Sequence, residues 1–185
     1  MKRALATVVA VALSGPAVFA PAVLAPTWAQ DEPQAFNAFA VVSANGTIVR
    51  AAEKQVMVVA TLTGPFFIES DEGPIHAGRV TCAASTRIDQ ATRKQTGNGA
   101  CTFTAVDGAT AWGDWTCEGY ELLGCRGTFK LTGGTARLEG ASGEGALLWR
   151  PSAHDLKKQL DGSVLDQATG ILVWRDFKLT GSAKR

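Results

Sequence analysis

Gly97 to Trp149 reads GNGACTFTAVDGATAWGDWTCEGYELLGCRGTFKLTGGTARLEGASGEGALLW, and this stretch decides the fold. Its runs of strand formers, Cys101–Val106, Ala111–Cys117, Cys125–Leu131 and Ala146–Trp149, are short and separated by Gly-, Asn- and Asp-containing turns. Closely spaced strands with such punctuation predict an antiparallel sandwich or barrel. Asp107-Gly108 predicts a turn between Phe103 and Trp112, Glu118 to Gly124 links the two cysteine strands, and Gly133-Gly134-Thr135 links Leu131 to Leu138.

Upstream, Gln34 to Ala44 followed by Asn45-Gly46 and Thr47 to Ala51 predicts a hairpin turning at the Asn-Gly pair. Gln55 to Thr63 is a β-branched run that Gly64-Pro65 is expected to end, with Phe66-Phe67-Ile68 as a separate strand. Ile75 to Ser85 carries His76 and Cys82, and the polar Thr86 to Gly99 reads chiefly as a loop. Downstream, Ser152 to Leu160 predicts a short helix inside a polar insertion near 151–168. Gly170 to Leu179 predicts the closing strand, with Ile171, Val173 and Phe177 on one face against Leu172, Trp174 and Lys178 on the other. Phe-Lys-Leu-Thr-Gly occurs at 129–133 and again at 177–181, and reads as two strand ends built alike.

The first 29 residues read as a signal peptide. Met1-Lys2-Arg3 is basic, Ala4 to Leu13 is apolar, and Pro16, Pro21 and Pro26 interrupt a continuous spanning helix. Small residues at Thr27-Trp28-Ala29 suit cleavage before Gln30. Residues 30–185 then form one β-barrel domain, long enough for a sizeable core. Losing Lys2 and Arg3 takes the formal charge from +1 to −1. With no basic cluster longer than two residues, a nucleic-acid footprint is missing. No second apolar run is long enough to span a bilayer, and nothing sets an oligomeric state.

Cys82, Cys101, Cys117 and Cys125 all lie in the exported part, which predicts two disulfides and a periplasmic or secreted location. Their spacings of 19, 16 and 8 contain no Cys-x-x-Cys pair, so no metal site is expected. Cys117 and Cys125 suit opposite positions of one hairpin, and Cys82 and Cys101 flank the Thr86–Gly99 segment on consecutive strands; the pairs are therefore Cys82–Cys101 and Cys117–Cys125.

Gly127 to Gly145, GTFKLTGGTARLEGASGEG, resembles a glycine-rich element of the allene oxide cyclase-like and dirigent-like β-barrels, in which a strand leads through GGTG and a hydrophobic segment to a second strand. The chain departs from it at Ala136, where the last glycine of GGTG is usual. The Gly97-Asn-Gly99 and Asp107-Gly108 segments are similar to that group as well, and Gly73-Pro-Ile-His76 resembles exported bacterial members. The resemblance spans Thr61 to Trp149 and implies an all-β fold, a single antiparallel barrel of about eight to ten strands, calycin-like or allene oxide cyclase-like. It carries over no catalytic residue.

Chemistry is sparse. His76 can act as an acid or base with a carboxylate from Glu69, Asp71 or Glu72, or can simply bond to the turn beside it. His154 reads as surface. Trp112, Trp115, Trp149 and Trp174 suit core packing or an aromatic pocket; Trp112 and Trp115 are three apart and face opposite sides. His76, Trp112 and Trp149 are the candidate ligand-binding residues, for a small apolar ligand. Nucleotide, serine-hydrolase and metalloprotease motifs are missing and no cofactor is implied. The first reading is a non-catalytic binder of a small apolar or amphipathic molecule. The alternatives are a cyclase- or isomerase-like enzyme that steers a reactive intermediate, and a structural envelope protein.

Overall fold

Along Gln55–Ser70 every second residue from Val56 to Leu62 is buried, and Thr110–Tyr120 repeats the pattern from Ala111 to Cys117. This period of two presents one face to a core and the other to water. In the computed structural model, which describes residues 34–152, 160 and 162–180, eight such strands close on themselves. They are β1 (Gln34–Ala52), β2 (Gln55–Ser70), β3 (Gly73–Asp89), β4 (Lys94–Ala105), β5 (Thr110–Tyr120), β6 (Gly124–Gly134), β7 (Ser142–Pro151) and β8 (Val164–Thr180). Each pairs antiparallel with the next, and β8 pairs with β1 to complete a closed barrel. Closure removes the sheet edges that would otherwise template association. The predicted leader 1–29 and most of the predicted helix at 152–160, with His154, lie outside the described residues, as does Gly181 of the Phe-Lys-Leu-Thr-Gly echo.

Two expected breaks are continuous strand, and a third is mostly strand. Asn45-Gly46 lies within β1, paired with Thr61 and Ala60, and the chain reverses instead at Glu53-Lys54. Gly46 is needed for a different reason: a Cβ there would fall 2.1 Å from the Val59 carbonyl oxygen. Gly64-Pro65 lies within β2 without ending it, at a point where its ladder to β1 lapses between Ala40↔Phe66 and Ser43↔Thr63. Most of Thr86–Gly99 is strand too. β3 runs to Asp89, whose carboxylate accepts the amides of Ala91 and Thr92, and β4 departs at Lys94. Those backbone hydrogen bonds, from Thr92 and then Ala91, hold the Asp89 carboxyl below its ordinary pKa.

The closing strand is longer than expected, starting at Val164, and it carries two bulges. Gln167 and Asp176 both have positive φ, and each amide donates to an asparagine on β1: Gln167 to Asn45 Oδ1 at 2.9 Å and Asp176 to Asn37 Oδ1 at 3.0 Å. A bulge adds one residue, so the faces beyond it exchange. Phe177 is therefore buried with Leu172 and Trp174, not grouped with Ile171 and Val173 as simple alternation predicts.

Both predicted disulfides are formed. Cys82 and Cys101 are register partners on β3 and β4, 4.0 Å apart at Cα, and Cys117–Cys125 crosses the β5–β6 hairpin diagonally at 5.5 Å. All four cysteines are buried, so both links brace the barrel from inside. Among the described residues no helix is long and apolar enough to cross a membrane.

Candidate functional site

Small residues on β1 leave room inside the barrel. Ala38, Ala40, Val42 and Ala44 all point inward, and glycines on β4, β5, β7 and β8 make space for rings. The Phe129 ring lies over Gly113, Phe177 over Gly143 and Gly145, Trp115 over Gly99, and Trp149 over Gly170, at hypothetical Cβ distances of 2.3–2.9 Å. Aromatic rings covering cross-strand glycines restore the buried area the glycines lack.

Among the described residues, two chambers inside the barrel result. The larger has a volume of about 320 Å³ and lies at the end formed by the β2–β3 turn, the β4–β5 turn and the β6–β7 connection. The smaller, about 60 Å³, lies toward the other end and is lined by Trp115, Trp149, Gln95 and Leu165 among others. Ala40 lies between them, paired with Phe66 of the larger and Leu172 of the smaller. Val80 lies between them too, opposite Phe103 and two residues from Cys82.

The larger chamber is an aromatic box. Phe66 on β2, Phe103 on β4, Phe129 on β6 and Trp174 on β8 meet edge to face, with Phe66–Phe103 at 4.9 Å, Phe103–Trp174 at 5.3 Å, Phe66–Trp174 at 5.5 Å and Phe103–Phe129 at 5.5 Å. Phe177 extends the wall at 5.9 Å from Phe129, and Phe36 packs on Phe177 at 5.3 Å. Trp174 Nε1 is the buried side-chain polar atom without a hydrogen-bond partner among the described residues.

Polar groups gather at the mouth. Arg137 lies in the 3-10 turn Ala136–Leu138 of the β6–β7 connection, and with Thr104 it supplies the polar side chains of the lining. Its Nε donates to Asp107 Oδ2 at 2.5 Å, while Asp107 Oδ1 accepts the Ala109 amide at 3.1 Å. The Arg137 hydrogen bond first, and the Ala109 amide second, hold the Asp107 carboxyl below its ordinary value of 3.8. A depressed carboxylate pKa means that the pair is intact at neutral pH and is lost as the pH falls through the depressed value.

The structure separates the three residues singled out from sequence. His76 is exposed on the outer face, its ring 5.5 Å from Phe67, which stacks in turn on Phe39 at 5.2 Å. No hydrogen bond or ion pair joins His76 to Glu69, Asp71 or Glu72 among the described residues. Trp112 is also outside, 41% exposed, its indole spread over Gly133. Trp149 lines the smaller chamber. Of this lining set the sequence points to Trp174 alone as an aromatic-pocket candidate; for Phe66, Phe103 and Phe129 the available signal is inward alternation. Among the described residues no group of three or more His, Cys, Asp or Glu is placed to hold a metal ion. Compared with known proteins, the chain matches no family model, no curated protein and no solved structure.

Proposed function

We propose that this protein is an exported, disulfide-braced barrel that binds a small apolar or amphipathic molecule in its larger chamber without transforming it. The carrying observation is the aromatic box itself. A cavity of about 320 Å³ is within the range of small-molecule sites, and its lining is almost wholly apolar. Two buried disulfides support a periplasmic or secreted location, where such links persist. An open chamber speaks against a purely structural envelope role, for which side chains would fill the interior.

A second reading uses the same chamber. A cyclase- or isomerase-like enzyme that only folds a reactive intermediate requires shape more than acid–base groups, and the box supplies shape.

The test is native mass spectrometry of protein taken from its own compartment. Wild-type protein should retain a small ligand, and Ala111→Phe, which adds a ring at a buried lining position, should lose it. His76→Ala, on the outer face, should retain it. Recovery of ligand-free wild type that also fails to bind the neutral dye N-phenyl-1-naphthylamine would remove the binding reading.

A further inference from the structure

We infer that the ligand of the larger chamber is uncharged, and that Arg137 and Asp107 clasp a lid over it instead of anchoring a charged head group. The inference rests on reading the chamber as a ligand site and specifies what that site takes. Arg137 is the titratable side chain of the lining. An unpaired guanidinium at the mouth of an apolar cavity would select a carboxylate or phosphate head. Here the guanidinium is already bonded to Asp107, so the pair itself carries no net charge. An anionic head placed beside Arg137 meets the Asp107 carboxylate as well. Deeper in, the ring faces carry partial negative charge and repel an anion further. A cation gains attraction from those faces, but no carboxylate lines the chamber to compensate its desolvation. A neutral molecule avoids both penalties.

The position of the pair explains its use. Two residues of the β6–β7 connection, Arg137 and Leu138, line the chamber at its mouth. Leu138 packs on the core, Thr135 is tied to Thr110 through its amide and its hydroxyl, and Arg137 reaches Asp107 in the β4–β5 turn. The connection is flanked by Gly133-Gly134 and by Gly140, which has φ of +75° and open space around it. Gly133 and Gly134 are held in the β6 ladder, so the Thr135 tie fixes that end of the segment, and Gly140, outside both strands, lets the rest of it swing without moving β7. The ion pair then holds the free part of the segment shut.

The experiment uses three probes of equal chain length, 1-decanol, decanoate and decyltrimethylammonium, titrated calorimetrically into the full barrel at neutral pH. Decanol should bind at least about tenfold more tightly than either ion. An ion that binds as well as the alcohol overturns the inference while leaving the chamber a ligand site; failure of all three to bind overturns both. Asp107→Asn supplies the second arm, read by stopped-flow fluorescence with N-phenyl-1-naphthylamine. Loss of an exposed clasp should raise the association and dissociation rates together, by about two- to fivefold, and leave Kd within about twofold. If Arg137 is instead a head-group anchor, freeing it from Asp107 should tighten decanoate binding without accelerating dye exchange, and that result refutes the clasp.

Discussion

Replacing Gly170 by alanine tests whether rings and glycines are matched inside this barrel. A Cβ at Gly170 would lie 2.3 and 2.6 Å from Cη2 and Cζ3 of Trp149, and 2.8 Å from the Arg150 carbonyl oxygen. Carbon atoms prefer about 3.5–4.0 Å, so the indole must retreat by more than about 1 Å. The smaller chamber behind it offers only about 60 Å³. Overpacking of this kind costs about 1–3 kcal/mol, and the backbone oxygen, which cannot rotate away, places Gly170→Ala near the upper end. In a Trp149→Leu background the ring is gone and only the carbonyl contact remains, so the same substitution should cost about 1 kcal/mol. The coupling energy is then about 2 kcal/mol, well above the few tenths expected of independent sites. Urea unfolding of the four proteins of the cycle, followed by circular dichroism, gives it directly if the m-values agree. Gly170→Ala alone should also lower Tm by roughly 6–12 °C. Equal costs in both backgrounds would refute the matching of Trp149 to Gly170.

Two further perturbations test other joints of the barrel. In the chain-entropy model, the Cys82–Cys101 link, with a separation of 19, contributes about 3.2 kcal/mol, and Cys117–Cys125, with a separation of 8, about 2.5 kcal/mol. All four cysteines are similarly buried, so Cys82→Ala/Cys101→Ala should lower Tm about 2 °C more than Cys117→Ala/Cys125→Ala in scanning calorimetry; the reverse order refutes the entropic account. Ala136 has φ of +52°, where an L-residue is disfavoured by about 1–2 kcal/mol and glycine is not. After the larger unfolded-state entropy of glycine, Ala136→Gly should raise stability by about 0.5 kcal/mol in urea unfolding, and a decrease would show that the turn does not register the strain.

The class of fold was legible because it depends on features that repeat: alternation, turn residues and cysteines placed for a hairpin. Alternation from Ala111 to Cys117 correctly put Trp112 and Trp115 on opposite faces, one exposed and one buried. Punctuation was less reliable than alternation. Asn45-Gly46 and Gly64-Pro65 look like turns locally, yet strand pairing, of Asn45-Gly46 with β2 and of Gly64-Pro65 with β3, keeps β1 and β2 continuous through them. There the glycines answer to the close approach of a neighbouring strand, a requirement that arises only once the barrel exists. The Ala136 departure from GGTG has a structural counterpart, since the backbone there keeps the left-handed conformation that glycine would favour.

The chamber was harder to read because bulges decide which residues face it. Val80 and Cys82 are buried on β3, and strict alternation would carry even-numbered His76 inward with them. Ala77 is an extra residue there: Gly78 pairs with Phe66 but His76 pairs with Phe67, and Gly78 takes φ of +145° to allow it. The slip puts His76 outside beside Phe67 and gives its inward place to Ala77, which lines the chamber. On β8 the Asp176 bulge works in the opposite sense and brings Phe177 into the box. A third slip, between Trp112 and Gly113 on the β5–β6 ladder, lies beside Leu131 of the lining. All three fall at the same end of the barrel, next to the larger chamber. Bulges bend strands and raise local twist, and they concentrate at barrel rims beside functional sites. The irregularities that hid the site from a pattern reading are thus the features that shape that end of the barrel and select the residues facing its chamber.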